Sequence, residues 1–336
     1  MKYLVKPIDV LSFRDSRPFG TGDDHKLYLA FPPSPATLYG ALRASFIGSV
    51  KEGFFNKNSI PPDIKNITGD ENSFGTLKIV DYGLVYNDER IYKTPNDILQ
   101  IKNKEVEIKE YVVASPRNIK NSIKTNSPNA VKSLSFPESD KIAFYENPPM
   151  FIKHSGIVKY LTNLPITKDD FVLSDEFYLS EFRTGISIGK NTGTDTGTDN
   201  GTDTRIDTGT VEEGALFSIE FARLSNGSSF FIQLNNELKG KIIKLGGEGR
   251  AAKIISSDLA ANLPEIKPVH GIKLITITPL FSSMGFLPDK DIINKVKNQL
   301  NLDLEFDTIS LSGYKAIGGW NIVKKNSKPL RRYLPE

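Results

Sequence analysis

The 336-residue sequence contains no cysteine, one tryptophan and three histidines. The absence of cysteine excludes disulfides, thiolate metal sites and thiol nucleophiles, and it is in keeping with a cytoplasmic protein. No apolar run approaches the roughly 20 residues that span a bilayer. The start from Met1 to Pro7 meets charge and proline too early for a signal peptide. We therefore expect a cytoplasmic protein with no membrane segment.

The residue arrangements that serve catalysis are also missing. There is no Gly-x-Ser-x-Gly elbow, and His25, His154 and His270 are far apart in the sequence. His25 follows two aspartates in a glycine-flanked loop, which is either a metal or acid–base cluster or, as we favour, an exposed loop. We expect no metal and no cofactor, and these absences argue against nucleophilic catalysis without excluding it, because residues distant in sequence can meet in space.

Basic residues are unevenly distributed, although the formal net charge is only +3. The range 111–137 contains no acidic residue but includes four cations: Arg117, Lys120, Lys124 and Lys132. A second basic stretch near the end of the sequence comprises Lys324, Lys325, Lys328, Arg331 and Arg332. Such stretches either hold a nucleic-acid backbone or are ordinary solvated surface.

The strongest local signal is a helix start at Ser34-Pro35. Ser34 can cap a helix and Pro35 suits its first position, so we predict a helix from Pro35 to Ile47. Its apolar positions share one face: Leu38, Leu42 and Phe46. The open helix N-terminus with Arg14 and Arg17 is either an anion site or an ordinary capped helix with arginines at its rim.

A long hairpin and a glycine-rich loop follow in the second half of the sequence. We predict pairing of Phe182–Ile188 with Ala215–Leu224 around a tip, residues 190–211, that carries a degenerate Thr-Gly-Thr-Asp repeat. The repeat has almost nothing apolar to bury, so we interpret it as a flexible tip rather than a metal site. The loop Gly246–Arg250 either brings backbone amides close to a phosphate or is a tight turn.

Other segments carry weaker patterns. We predict extended structure at Phe74–Tyr86, Phe151–Tyr160 and Ile272–Pro279, an exposed loop at Ser115–Asn129, and an amphipathic helix at Asp289–Leu300. The proline-containing linker before residue 268 divides the chain into 1–265 and 266–336. The order of the second part, strand–helix–strand–strand, resembles most of a ferredoxin-like domain.

Four blocks in this order resemble the RAMP superfamily of CRISPR proteins, and within it the third-named subunit of type III-B (Cmr) effector complexes. They are Phe13-Arg14-Asp15-Ser16-Arg17-Pro18-Phe19, Pro32-Pro33-Ser34-Pro35-Ala36-Thr37-Leu38-Tyr39-Gly40-Ala41-Leu42-Arg43, the hairpin residues Glu181-Phe182-Arg183-Thr184-Gly185-Ile186, and Leu245-Gly246-Gly247-Glu248-Gly249-Arg250. The C-terminal segments Gly318-Gly319-Trp320-Asn321 and Lys328-Pro329-Leu330-Arg331-Arg332 match as well. The repeat departs from the family by lengthening the hairpin.

The resemblance implies an α+β fold of two ferredoxin-like (RRM-like) domains with inserted loops and a projecting β-hairpin. It also implies a noncatalytic subunit that binds the 5′ repeat-derived tag of the crRNA. Its expected protein partners are the large polymerase/cyclase-like subunit and the backbone RAMP subunit. The residues expected at the RNA are Arg14, Arg17, Ser34, Arg43, Arg183, Gly246, Gly247, Gly249 and Arg250.

Three alternatives stay open at the level of the sequence. One is a metal-independent RAMP endoribonuclease that processes repeat RNA with His25 as general base. Another is the equivalent type III-A subunit, and the third is a scaffold that binds only the large subunit without touching RNA.

Overall fold

The computed structural model describes thirteen stretches of the chain, and every structural statement below concerns these residues. They are 1–14, 26–48, 61–70, 73–102, 108–118, 132–136, 144–188, 211–238, 240–260, 272–284, 288–303, 307–321 and 326–335. The predictions for Arg17, for the hairpin tip at 190–210 and for residues 119–131 therefore lie outside them, as do His25 and His270.

Most of the described chain is antiparallel β-structure. The first strands are β1 (Lys2–Pro7), β2 (Lys26–Leu27), β3 (Ile79–Tyr86), β4 (Glu89–Lys93), β5 (Ile98–Lys102), β6 (Ile108–Val113), β7 (Ser115–Asn118), β8 (Lys132–Ser135), β9 (Phe144–Glu146) and β10 (Phe151–Lys153). The remaining strands are β11 (Phe171–Val172), β12 (Tyr178–Ile188), β13 (Val211–Leu224), β14 (Ser228–Leu234), β15 (Ile242–Lys244), β16 (Ala251–Ser256), β17 (Leu280–Phe281), β18 (Lys315–Asn321) and β19 (Asn326–Leu334).

Helices are few and short. They are α1 (Pro35–Gly48), α2 (Pro62–Thr68), α3 (His154–Leu161), α4 (Ser174–Phe177), α5 (Lys290–Leu300) and a single 3₁₀ turn at Lys168–Asp170. None of these helices is both long and apolar enough to cross a membrane.

An eight-stranded sheet forms the largest unit, in the order β11-β10-β4-β3-β14-β1-β16-β15. All of its neighbouring strands are antiparallel. The central strand β14 is buried at six of its seven residues, as expected for a strand covered on both faces. Along the chain, β1 leads through α1 to β3, and β14 and β16 are then placed on either side of β1.

Helix α1 covers the sheet through the predicted apolar stripe. Leu38 and Leu42 are fully buried and Phe46 nearly so, in one cluster with Val5 and Phe230. Burying each leucine contributes about 2 kcal/mol by the usual area relation. The helix begins as predicted, because the Oγ of Ser34 accepts from the amide of Thr37 at 3.3 Å.

The long hairpin is the second principal unit. Strands β12 and β13 pair from Tyr178 opposite Leu224 to Ile188 opposite Val211, which confirms the predicted hairpin. On its other edge β13 pairs in parallel with the short strand β2. A two-way backbone bridge between Leu11 and Ala222, with both N···O distances 2.8 Å, ties the hairpin to the segment that follows β1.

The C-terminal strands form a separate three-stranded sheet in the order β17-β19-β18. Strand β19 lies between β17 and β18 and is antiparallel to both. Because α5 follows β17 and precedes β18, this is the strand arrangement of a split βαβ unit. Two smaller sheets, β6-β5-β9 and β7-β8, complete the described β-structure.

Polar contacts connect the C-terminal part to the main sheet. The ammonium of Lys273 lies 3.4 Å from a carboxylate oxygen of Asp97 and 4.0 Å from the centre of the Tyr160 ring. The hydroxyl of Tyr160 in turn donates to Asp97 at 2.8 Å. A separate ion pair, of Lys132 with Asp307 at 2.9 Å, connects the C-terminal part to β8 of the small two-stranded sheet.

Three local predictions are wrong. Within Phe151–Tyr160, predicted as extended, only β10 is a strand, and the chain continues as α3 because Ile157 and Tyr160 are buried on one helical face. The predicted strand at Ile272–Pro279 has no regular structure in its described residues. The predicted loop Ser115–Asn129 begins with β7, which pairs with β8.

Candidate nucleic-acid interface

One face of the hairpin lies next to residues 9–11, which follow β1, and it carries both charged and apolar side chains. Glu181 and Arg183 on β12 lie two residues apart, so they share one face of the strand. Their partners across the hairpin are Phe221 and Ile219, and Arg223 follows two residues after Phe221. This face packs around Val10 and Leu27, and Phe221 and Ile219 are buried there.

Three arginines meet two carboxylates at this point. Asp9 lies 3.1 Å from Arg250, 3.3 Å from Arg223 and 3.8 Å from Arg183, measured between guanidinium nitrogens and carboxylate oxygens. Glu181 pairs with Arg183 and Arg223, both at 2.7 Å. We call Asp9, Glu181, Arg183, Arg223 and Arg250, with Phe221, the arginine cluster. It brings together two predicted residues, Arg183 and Arg250, that are distant in the sequence.

The ring of Phe221 supports two of the guanidinium groups. The guanidinium carbons of Arg183 and Arg250 lie 5.3 and 5.1 Å from its centre. Such cation–π contacts fix the orientation of an arginine without using its N–H donors. With three cations and two anions, the arginine cluster has an excess of one positive charge at neutral pH.

The contacts within the arginine cluster lower the pKa of both carboxyl groups. A hydrogen bond from the backbone of Val10 and the three nearby arginines lower the pKa of Asp9, against a partial opposing effect of desolvation. Hydrogen bonds from Arg183 and Arg223 lower the pKa of Glu181. The bond to Glu181 in turn raises the pKa of Arg223. All of these groups are therefore charged at neutral pH.

The glycine loop, Gly246–Arg250, packs against the chain just before Arg14. The amide of Gly247 donates to the carbonyl oxygen of Ser12 at 2.8 Å. Gly246 has a φ of +84°, and a Cβ placed there would be 2.5 Å from the same oxygen. Glycine is therefore required at residue 246 by both conformation and space.

The outer part of the glycine loop faces open space. Glu248 and Gly249 have φ angles of +56° and +64°, and a Cβ on Gly249 would meet nothing within 4 Å. The amides of Gly246, Glu248 and Gly249 donate no hydrogen bond to any residue that the structure describes. Left-handed residues with unused amides are the type of backbone that forms anion-binding concavities.

The other predicted residues lie elsewhere or have internal roles. Arg14 is exposed at the end of the segment that contacts the glycine loop, and its backbone pairs with that of Leu29. Ser34 caps α1, and Arg43 donates to the backbone carbonyl of Asp70 at 2.6 Å. Ser34 and Arg43 do not contact Asp9 of the arginine cluster within the part of the chain that the structure describes. Their role at RNA stays a prediction.

The structure adds four residues to this site that the sequence analysis does not predict: Asp9, Glu181, Phe221 and Arg223. Once β12 and β13 are paired, the alternation of Glu181 with Arg183 and of Phe221 with Arg223 places all four on one face. That signal is readable from the sequence if the hairpin register is known. Nothing in the sequence indicates that Asp9 joins them.

Within the described ranges, no three side chains of histidine, cysteine, aspartate or glutamate come together as a possible metal site. The described histidine, His154, is hydrogen-bonded through Nδ1 to the hydroxyl of Tyr92 at 3.2 Å at the start of α3.

The chain was compared with families and structures of known proteins. A family model described as "CRISPR-associated protein (Cas_Cmr3)" matches residues 3–336. No curated protein sequence matches the chain. A similar solved structure is a chain of the cryo-EM structure of the type III-B Cmr-beta bound to cognate target RNA, with 18% identity, a TM-score of 0.46, and coverage of 100% of this chain and 85% of that chain. A chain from the same type of complex with target RNA and AMPPnP, state 1, has 19% identity and a TM-score of 0.45, with coverage of 100% and 84%.

Proposed function

Because the chain belongs to the Cas_Cmr3 family of CRISPR-associated proteins, we propose that it is a noncatalytic subunit of a type III-B RNA-guided complex. In this role the arginine cluster and the glycine loop bind the 5′ repeat-derived tag of the crRNA. The subunit also anchors the large polymerase/cyclase-like subunit to the backbone RAMP subunit.

The observation that carries this proposal is that three guanidinium groups meet where Arg250 ends the glycine loop, in which three amides donate to no residue that the structure describes. Arg183 and Arg223 are 38% and 46% exposed, so part of each planar donor set faces solvent beside the bonds to Asp9 and Glu181. Arginine can bind a phosphate through two parallel N–H groups. Single-stranded RNA is held by such contacts and by backbone amides, and this requires no catalytic group.

The two carboxylates have a positioning role in this arrangement. Asp9 holds Arg250 and Arg223 from the side of β1, and Glu181 holds Arg183 and Arg223 from the hairpin. The guanidinium groups are thereby oriented before RNA arrives, which reduces the entropy lost on binding. The excess positive charge leaves the arginine cluster attractive to a phosphate.

The strand order supports the proposed pair of ferredoxin-like domains. The central strands β3-β14-β1-β16, with α1 between β1 and β3, have the order of such a domain, and β17, α5, β18 and β19 supply three strands and one helix of another. We accordingly propose the division into 1–265 and 266–336, with the hairpin projecting from the first part.

The test is fluorescence anisotropy of the full chain with a labelled RNA that carries the 5′ tag, against a scrambled RNA, over a salt series. We expect Arg250→Gln to weaken tag binding about ten- to hundred-fold, since a hydrogen bond to a charged group contributes about 1.5–3 kcal/mol. The slope of log affinity against log salt should fall by about 0.7 for each phosphate that the variant no longer binds. Lys78→Gln removes one exposed charge outside the arginine cluster and is the matched control.

Two results would contradict the proposal. Unchanged affinity and salt slope in the double variant Arg17→Ala/Arg250→Ala would show that these arginines do not hold RNA. The same samples run on a denaturing gel should contain intact RNA, and cleaved RNA would favour the endoribonuclease instead.

A further inference from the structure

The end of the chain carries a concentration of positive charge that the proposed tag site does not use. From Thr308 to Pro335 the sequence has six lysines and arginines and no acidic residue. The described part of this segment includes β18 and β19 of the C-terminal sheet. Arg331 and Arg332 on β19 are both exposed.

One face of this sheet combines cations with aromatic rings. Tyr333 is paired with Phe281 on one side and with Lys315 on the other, so the three side chains form a row across the sheet. Arg331, two residues before Tyr333, lies on the same face. We call Phe281, Lys315, Arg331 and Tyr333 the C-terminal face.

Contacts within the C-terminal face orient its groups. The rings of Phe281 and Tyr333 meet edge to face with centroids 5.5 Å apart, and the guanidinium carbon of Arg331 lies 5.4 Å from the centre of the Phe281 ring. Phe281 nevertheless stays 45% exposed. An exposed ring beside an oriented cation suits a planar ligand that carries negative charge, because the ring can stack and the guanidinium can bind the charge.

The two arginines of β19 differ from those of the arginine cluster in their ion pairing. No carboxylate among the residues that the structure describes forms an ion pair with Arg331 or Arg332. In the arginine cluster, by contrast, every guanidinium is bonded to Asp9 or Glu181. Among the described residues, a phosphate that approaches the C-terminal face therefore meets no carboxylate already paired with Arg331.

We propose that the C-terminal face is a second RNA-binding surface, which takes single-stranded RNA by stacking a base on Phe281 and binding a phosphate with Arg331. Every nucleobase has a π-face, so this contact does not depend on sequence. The row from Phe281 to Lys315 spans about 10 Å at the usual strand spacing, enough for about two or three nucleotides. The surface is distinct from the proposed tag site in residues and in chain position.

Charge favours RNA over a protein as the occupant. A protein interface at this face would bury Arg331 beside Lys315, and burying charges is costly unless the partner supplies opposite charges. RNA supplies both a phosphate for each cation and a flat ring for Phe281. A protein partner of acidic character is the competing outcome, and the experiment separates the two.

The experiment measures the anisotropy of a 5′-fluorescein 15-mer of uridine, which has no tag sequence, with the full chain across a salt series. We expect Phe281→Leu, which keeps the apolar volume but removes the ring, to weaken binding about ten-fold. Arg331→Gln/Arg332→Gln should weaken binding and lower the salt slope by about 0.7 for each phosphate released from the surface. The control Lys290→Gln/Lys295→Gln removes two exposed charges from α5 of the same unit.

Crosslinking gives a second readout that does not depend on affinity. The 15-mer with 4-thiouridine, irradiated with the full chain, should crosslink to the peptides that contain Phe281 and residues 326–335. The proposal is overturned if the wild-type chain does not bind the 15-mer, if the crosslinks fall elsewhere, or if both variants bind as the control does. Repeating the binding in an Arg250→Gln chain separates this surface from the tag site, because binding of the 15-mer should persist there.

Discussion

At the scale of single residues, two positions in the glycine loop require glycine for different physical reasons. Gly246 and Gly249 both have positive φ angles, of +84° and +64°. A Cβ on Gly246 would be 2.5 Å from the carbonyl oxygen of Ser12, whereas a Cβ on Gly249 would lie in open space. Both the close packing and the backbone conformation require glycine at residue 246, whereas only the backbone conformation favours it at residue 249.

We expect Gly246→Ala to lower the free energy of unfolding by about 2–5 kcal/mol. About 1–2 kcal/mol comes from the left-handed backbone and about 1–3 kcal/mol from the displaced Ser12 carbonyl. Gly249→Ala, the matched control, should lose only the first contribution. Urea unfolding measures both. Equal losses in the two variants would show that the approach to Ser12 has no energetic effect.

Single residues are also where prediction from the sequence reaches its limit. Arg183 and Arg250 could be proposed because each stands in a block with family resemblance, but Arg223 and Asp9 stand in no such block. Their roles arise from the bridge between Leu11 and Ala222, a contact between chain segments over 200 residues apart. No local pattern encodes which side chains such a bridge brings together.

At the scale of elements, the anchoring of the hairpin depends on charged pairs. Glu181 on β12 is held by Arg183 and Arg223, and these bonds lower its pKa below the ordinary value of 4.5. A carboxyl group with a lowered pKa in the folded state stabilises that state above the pKa of the unfolded chain. Its contribution is lost as the pH falls through the folded-state pKa. The arginine cluster is therefore complete at neutral pH and disassembles only in acid.

We expect Glu181→Gln to lower the melting temperature most at pH 7, and the difference from the wild type to shrink below about pH 4 as the wild-type carboxylate is protonated. Thermal unfolding from pH 3 to pH 7 measures this. Glu237→Gln, which removes an exposed carboxylate outside the arginine cluster, is the control for loss of charge alone. A difference that is the same at every pH would contradict the assigned role of Glu181.

Elements with a local signal follow from the sequence, and elements defined by distant contacts do not. Helix α1 and the pair β12–β13 follow from a cap, an apolar stripe and alternation, all within a short stretch. The prediction of extended structure at α3 is wrong. Over only eight residues, the spacing of its apolar side chains does not distinguish a helix from a strand. Residues 272–276 alternate like a strand, but Lys273 and Ile275 contact the main sheet region individually and no neighbouring strand is present among the described residues.

At the scale of the whole molecule, the buried group of Tyr160 and Asp97 connects the C-terminal part to the main sheet. The Tyr160 hydroxyl donates to both oxygens of Asp97 at 2.8 Å, and Lys273 reaches the same carboxylate. Desolvation and the neighbouring Asp97 raise the pKa of Tyr160, which keeps its hydroxyl protonated. Asp97 is only 7% exposed, so it depends on these partners.

We expect Tyr160→Phe to lower the free energy of unfolding by about 1.5–3 kcal/mol, because a buried carboxylate loses hydrogen bonds that water cannot replace. Tyr111→Phe is the matched control: its hydroxyl is buried without a partner among the described residues, so its removal should be neutral or slightly stabilising. Urea denaturation midpoints give both values. A loss of equal size in the two variants would show that Asp97 does not need Tyr160.

The place of β1 in the large sheet has a consequence for biosynthesis. Its two neighbours, β14 and β16, lie at residues 228–234 and 251–256. During synthesis, β1 must therefore wait for more than 220 further residues before either neighbour is complete. At the usual rate of translation that is roughly 10–45 s. Throughout that interval Tyr3 and Val5, both buried in the finished sheet, have no partner strand. The nascent chain thus leaves these two side chains unpaired during that interval, and we expect ribosome-associated chaperones to bind it.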